Sequence, residues 1–224
     1  MPGAQRIPRP ANFALGAPAP WAHLTRAART FTIHEVRSAC RSLPLPRPPR
    51  HLPREPRVAA VLLTCMQVHD EAHVVLIKRP EHMPTHQGQI AFPGGAHEPE
   101  DVDLQATAVR EAREEIGLGD VELLGELDTI ATVASPFVVT PFVGVVASPT
   151  FVPDPGEVDA VFSIPISQLL DAEIFREEIW DLSGIELFTP PEQSVYFFEL
   201  PTETVWGATA RILRGFLAHL AGMR

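Results

Sequence analysis

The stretch from Gly94 to Leu118, GGAHEPEDVDLQATAVREAREEIGL, decides how this chain is read. A glycine pair, Gly94 and Gly95, is followed by a short acidic loop and then by a helix carrying Arg110, Glu111, Glu114 and Glu115. Asp103 or Asp101 stands where a helix cap is wanted, and Gly117 and Gly119 mark the far end. At about 100° per residue, Glu111, Glu114 and Glu115 fall within roughly 100° of arc on one face. Like charges at these spacings repel by about 0.2–0.5 kcal/mol per pair. Such a face is either well solvated or neutralised by a cation. Three carboxylates directed at one point form an oxygen-rich site suited to a hard divalent ion such as Mg2+ or Mn2+. Val109 and Ile116 lie on the other side and are expected to pack against a sheet.

The flanks supply that sheet. Val58–Val68 and Ala72–Lys78 are apolar and β-favouring, and the acidic turn at Asp70-Glu71 makes them a hairpin. Gln89–Phe92 leads into the glycine pair. Downstream, strands are expected near Val121–Val133 and Val138–Ala147, then a segment at Glu157–Ile164, a short helix at Ser167–Leu170 and a late strand at Val195–Leu200. Val205–Ala221 reads as a closing amphipathic helix with Ile212, Leu213, Phe216, Leu217 and Leu220 as its buried stripe. A mixed sheet between helices, an α/β fold, is the simplest packing.

Charge divides the chain. Residues 1–57 hold ten Arg against Glu35 and Glu55, a balance of +8, whereas residues 58–224 carry −18, and the whole has net charge −10. Residues 1–56 are expected to be a Pro/Arg-rich arm, with 11 of the 24 prolines, and residues 57–224 the main domain. Residues 1–29 read as loosely ordered. Thr32 and Glu35 form a capping box for one short helix at about 32–43, with Ile33, Val36, Cys40 and Leu43 on one side. Pro44–Pro56 is a stiff connector. A basic arm suggests a phosphate-bearing partner, but its arginines are spread out and its aromatics few. Nucleic acid is therefore the weaker expectation, and the arm could lie across the acidic body. No apolar run reaches the ~18 residues of a membrane span, and no signal peptide is expected. Cys40 and Cys65 have neither metal-ligand nor redox spacing, which fits reduced thiols in a cytoplasmic protein. A homodimer is left open.

The glycine, the acidic loop and Arg110-Glu111-Ala112-x-Glu114-Glu115-x-Gly117-Leu118 together resemble the Nudix box, the motif of metal-dependent hydrolases that cut a diphosphate linked to another moiety. The usual spacing is Gly, five residues, Glu, seven residues, Arg-Glu. Here Asp101 replaces the Glu, and eight residues separate it from Arg110. The resemblance implies a Nudix-type α/β/α sandwich with a mixed sheet. It implies Glu111, Glu114, Glu115 and the carbonyl of Gly95 as metal ligands. It also implies that Arg110 orients the ligand carboxylates and bonds back to Asp101. A plain helix ion pair for Arg110, and a capping role for Asp101, remain alternatives. Glu157, in the segment Pro155–Val161, is nominated as base or extra ligand, with Glu114 and Glu115 as the other candidates for the base.

Val75–Gly95 is similar to a signature of the coenzyme A pyrophosphatase branch of that family, approximately LLTxRSxxLRxHxGxxxFPGG. Arg79, His86, Gly88, Phe92, Pro93, Gly94 and Gly95 match, while Ile77, Pro80 and Pro84 depart. This likeness implies cleavage of coenzyme A, or a derivative, to 3′,5′-ADP and 4′-phosphopantetheine. Lys78, Arg79, His86 and Gly94 are the expected substrate contacts. ADP-ribose or a nucleoside triphosphate is the alternative substrate, and a non-catalytic nucleotide sensor the alternative class.

Overall fold

The structure is a computed structural model that describes residues 5, 7–83, 86–132, 135–147, 150–183 and 192–223. In chain order its elements are β1 (Phe13–Leu15), α1 (Ile33–Cys40), β2 (Arg57–Val68), β3 (Glu71–Lys78), β4 (Ile90–Ala91), β5 (Gly94–Ala96), α2 (Leu104–Ile116), β6 (Glu122–Glu126), β7 (Ile130–Ala131), β8 (Phe137–Val146), β9 (Ala160–Pro165), α3 (Ile166–Leu169), β10 (Phe175–Asp181), β11 (Glu192–Glu199), β12 (Thr204–Trp206) and α4 (Gly207–Leu220).

The main sheet runs β4-β3-β2-β8-β6, with β5 on β2, β7 on β8 and β9 on β3. The β2–β8 pair is parallel and every other pair antiparallel, so the sheet is mixed. Strand alternation sorts the apolar residues onto two faces. Ala60, Leu62, Val75 and Ile77 pack with Ala108, Ala112 and Ile116 of α2. Leu63, Cys65, Val74 and Leu76 face the other way, toward Val36 and Cys40 of α1 and Leu213, Phe216 and Leu217 of α4. This is the expected α/β/α sandwich. The edge of β2 is divided: Ala59–Val61 pair with β5, and Thr64–Val68 pair with β3. The glycine pair enters the sheet where those partners part.

Several elements differ from expectation. Residues 7–29 are not loose. Their strand β1 pairs with β10, and Trp21 is fully buried, stacked on Phe198 at 6.1 Å and edge-on to Phe175 at 5.2 Å. An aromatic of that size carries enough apolar surface to anchor the chain around it. A second sheet, β1-β10-β11-β12, stands beside the first, and its strand β10 had no counterpart in the sequence reading. The expected strand over Val121–Val133 is two short strands, β6 and β7, and Val133 lies outside the described residues. The closing helix begins only at Gly207, whose φ of 64° turns the chain out of β12. The capping box of α1 is present, with Thr32 Oγ1 accepting the Glu35 N–H and Glu35 accepting the Thr32 N–H.

Candidate functional site

Helix α2 begins at an Asp103 cap, whose carboxylate accepts the Ala106 N–H, and ends at Gly117 with φ 65°. Its buried stripe is Thr107, Ala108, Ala112, Glu115 and Ile116, with Val109 only half-buried. Alanines at 108 and 112 let the helix lie close to the sheet. That closeness brings Glu115, one turn further on, into the interface. Its side chain is 2% exposed, against 14% for Glu111 and 55% for Glu114. The three carboxylates thus form a gradient from core to solvent.

Glu115 Oε2 accepts the backbone N–H of Gly94 at 2.9 Å, and Arg79 Nη1 stands 3.6 Å from its Oε1. Burial pushes the Glu115 carboxyl up to about 8, with Glu111 and Glu157 adding to the rise and the Gly94 N–H and Arg79 opposing it. Glu111 is raised as well, first by burial, with Arg110 opposing. Both glycines are demanded by close approach. A Cβ on Gly94, at φ 153°, would lie 2.6 Å from Val61 Cα, and one on Gly95 would strike the Glu111 carboxylate.

Arg110 ties the loop to the helix. Its Nε donates to Asp101 Oδ1 at 2.9 Å and its Nη2 to Oδ2 at 3.0 Å. Its Nη1 donates to Glu111 at 3.1 Å and Glu114 at 2.8 Å, and Nη2 also reaches the carbonyl of Ala96. The Arg110 guanidinium holds the Asp101 carboxyl far below the usual carboxylate range, and Asp101 in turn raises Arg110. Asp103, not Asp101, is the helix cap.

The structure gathers Gly94, Gly95, Asp101, Arg110, Glu111, Glu114, Glu115 and Arg79 in one place, with the charge of exposed Glu157 felt at Glu111 and Glu115. Two candidates stand apart. Lys78 follows Leu76 onto the opposite sheet face, where its Nζ pairs with Glu203 Oε1 at 2.7 Å. His86 is exposed and bonds Gln89 at 2.9 Å. Pro84, where the signature carries Arg, lies outside the described residues. Thr107 and His97, which sequence reasoning missed, join Asp101: Thr107 Oγ1 donates to Asp101 Oδ2 at 2.8 Å, and His97 Nδ1 lies 2.9 Å from Thr107 Oγ1. A threonine six residues beyond the loop acid was the only signal available in the sequence.

Among the described residues, no three carboxylate, imidazole or thiolate groups converge on one point as they stand. Glu111 and Glu114 turn to Arg110, and Glu115 turns to Gly94. The set nonetheless fits a hard divalent cation. Its donors are all oxygens, Glu115 is a buried carboxylate driven toward protonation, and the space beside Glu111 stays open only because residue 95 lacks a side chain. A carboxylate helix face set against a glycine turn is an arrangement suited to a divalent cation and, through it, to a phosphate.

The family model described as the NUDIX domain matches residues 55–183. The chain is 33% identical over 174 residues to a protein of Photorhabdus laumondii subsp. laumondii described as an uncharacterized Nudix hydrolase NudL, a match covering 76% of this chain and 89% of that one. A Yersinia pestis (strain Pestoides F) protein of the same description is 35% identical over 168 residues, covering 74% and 78%. Among solved structures, a MutT/nudix family protein from Enterococcus faecalis has a TM-score of 0.47 at 14% identity, covering 83% of this chain and 68% of that one. The chain belongs to the Nudix family, and it is a Nudix hydrolase, an enzyme of the pyrophosphatase type. Nudix hydrolases generally use divalent metal cations. None of the described helices is long and apolar enough to cross a membrane.

Proposed function

We propose that this enzyme hydrolyses the diphosphate bond of coenzyme A or a coenzyme A derivative, releasing 3′,5′-ADP and 4′-phosphopantetheine or its acyl form. The observation that carries the reading is Arg79, the arginine of the upstream signature. Its Nη1 lies 3.6 Å from Glu115 of the box, and its Nε is buried with no partner among the described residues. Arg79 thus stands beside the box carboxylates, and an unsatisfied guanidinium donor there suits a phosphate oxygen.

Glu111, Glu114, Glu115 and the Gly95 carbonyl would hold Mg2+ or Mn2+. When bound, the cation would screen carboxylates from diphosphate, polarise phosphorus and acidify water. The protein's own part is position and charge. Arg110, fixed by Asp101, sets where Glu111 and Glu114 stand. Gly94 orients Glu115 through its N–H. Arg79 would neutralise and align the diphosphate. A carboxylate accepts the proton of the attacking water, and Glu157, exposed and with its charge felt at Glu111 and Glu115, is our candidate, with Glu114 and Glu115 the others. We take the enzyme to act in the cytoplasm, as its two unpaired, buried cysteines suggest.

The test is to incubate the pure protein with Mn2+ and a panel of coenzyme A, acetyl-coenzyme A, ADP-ribose and nucleoside triphosphates, and to resolve the products by chromatography. We expect 3′,5′-ADP from the coenzyme A compounds at the highest kcat/KM. Faster turnover of ADP-ribose or a triphosphate would replace the substrate assignment.

A further inference from the structure

We propose that Asp154 is a positioning residue for Glu157, joining the turn that carries Glu157 to the end of α2 that carries Glu115. The inference rests on the reading above, in which Glu157 is the candidate acceptor of the attacking water's proton.

The last carbonyls of a helix have no partners within it. In α2 those of Glu115 and Ile116 are met from outside. The Asp154 N–H donates to the Glu115 carbonyl and the Val152 N–H to that of Ile116, both at 2.9 Å. The backbone of the deepest box acid is therefore bonded directly to Asp154. From there the chain turns at once. The Asp154 carbonyl accepts the N–H groups of Glu157 at 3.1 Å and Val158 at 2.8 Å, and its Oδ1 accepts the Gly156 N–H at 2.7 Å. Asp154-Pro155-Gly156-Glu157 suits such a turn, because aspartate bonds the backbone two residues on and proline presets the second position.

Beyond the turn the segment is fastened again. Val158 is 3% exposed and lies in the apolar cluster with Ala112 and Ile116 of α2. The Asp159 N–H donates to the carbonyl of Lys78 at 2.8 Å, one residue before Arg79. Glu157 thus stands between two fixed points, one on the helix of carboxylates and one beside Arg79. Its side chain is exposed, and its charge adds to the rise of Glu111 and Glu115. A surface glutamate on a loose loop would spend most of its time out of place, and a backbone held at both ends removes that search. The Asp154 carboxylate is itself exposed, so it can be removed without opening the core.

The experiment compares full-length wild type, D154A, D154N, E157Q and the D154A/E157Q double variant. The readouts are Tm, and kcat and KM with coenzyme A and Mn2+. E157Q is expected to lower kcat about 100-fold or more. D154A is expected to melt close to wild type and to lose kcat about tenfold, the weight of one hydrogen bond, with KM within about twofold. D154N keeps the acceptor oxygen and should stay within about threefold of wild type. Added to E157Q, D154A should cost less than about twofold more, because a residue that acts through Glu157 has nothing left to position. Wild-type kcat in D154A, a D154N enzyme as slow as D154A, or an equal D154A loss on both backgrounds overturns the proposal and leaves the assignment of Glu157 standing. E157Q at the wild-type rate overturns both. If coenzyme A is not cleaved, the same cycle is run on the diphosphate that is, and if none is cleaved the functional reading fails and takes the proposal with it.

Discussion

The carboxylate of Glu115 and the backbone N–H of Gly94 hold one another at 2.9 Å, so the deepest acid of α2 and the first glycine of the turn form a single unit. Burial drives that acid up to about 8 from an ordinary 4.5. The folded chain therefore binds the Glu115 proton more tightly than the unfolded chain does. The stability this contributes is complete below about pH 4.5 and is lost as pH rises through 8. In EDTA, Tm should fall across pH 5–8.5 by more than the E115Q variant loses over the same range. Mn2+ should flatten the wild-type curve, since a cation takes the place of the proton. Parallel curves for wild type and E115Q would refute the assignment.

At pH 8 the same substitution should separate stability from activity. A neutral amide is spared the cost of burying charge, so metal-free E115Q is expected to be at least as stable as wild type. Its kcat should drop by roughly 10²–10⁴-fold. Thermal melts and steady-state rates on one preparation test both halves.

The two glycines should fail in different ways. A Cβ on Gly94 would meet the backbone of Ala60 and Val61, which cannot move aside, whereas on Gly95 it would meet only the Glu111 carboxylate. Gly94→Ala should cost about 1–3 kcal/mol of stability. Gly95→Ala should fold with Tm close to wild type and lose Mn2+ affinity. Denaturant melts and calorimetry distinguish the two, and equal losses of stability would contradict the geometry.

Neighbouring cations should also part company. Arg79 faces Glu115, and Lys78 faces Glu203. Arg79→Ala is expected to raise KM for coenzyme A about 10–100-fold, matching ~1.5–3 kcal/mol for hydrogen bonds to a charged group. Lys78→Met should leave KM within about threefold while lowering Tm, because Glu203 is then buried unpaired. Adding Glu203→Leu should recover part of that Tm. A large KM effect from Lys78 would place substrate on the other face of the sheet.

Trp21 tests whether the first residues belong to the core. Trp21→Ala should cost about 3–5 kcal/mol, read by urea titration. A change below about 1 kcal/mol would mean that the segment merely rests on the body.

What was legible in the chain was local. A cap at Asp103 or Asp101, the Gly117 stop and the i, i+3, i+4 carboxylates specify α2 without reference to anything distant. The same holds for the Thr32–Glu35 box, the β2–β3 hairpin and the stripe on α4. The second sheet was hidden because β10 reads Phe-Arg-Glu-Glu-Ile-Trp-Asp, three charged residues in a row, which resembles surface. Glu178 is nevertheless buried there, with Arg9, Arg176 and the indole N–H of Trp180 as partners. Arg9 lies 169 residues away in the chain, so no window on the sequence contains both halves of the pair.

By itself the sequence determined a Nudix hydrolase: which acids share a helix face, which glycines precede them, and that a sheet lies beneath. Periodicity and steric freedom are properties of neighbouring residues, so they survive without coordinates. Only the tertiary structure decided that Glu115 is the buried acid and Glu114 the wet one, that Arg79 joins the box while Lys78 turns to Glu203, and that Asp101 serves Arg110 while Asp103 caps the helix. Those outcomes depend on how closely α2 lies on the sheet and on which distant groups offer a charge or a hydrogen bond. Desolvation and pairing are set by that surrounding, not by the order of residues.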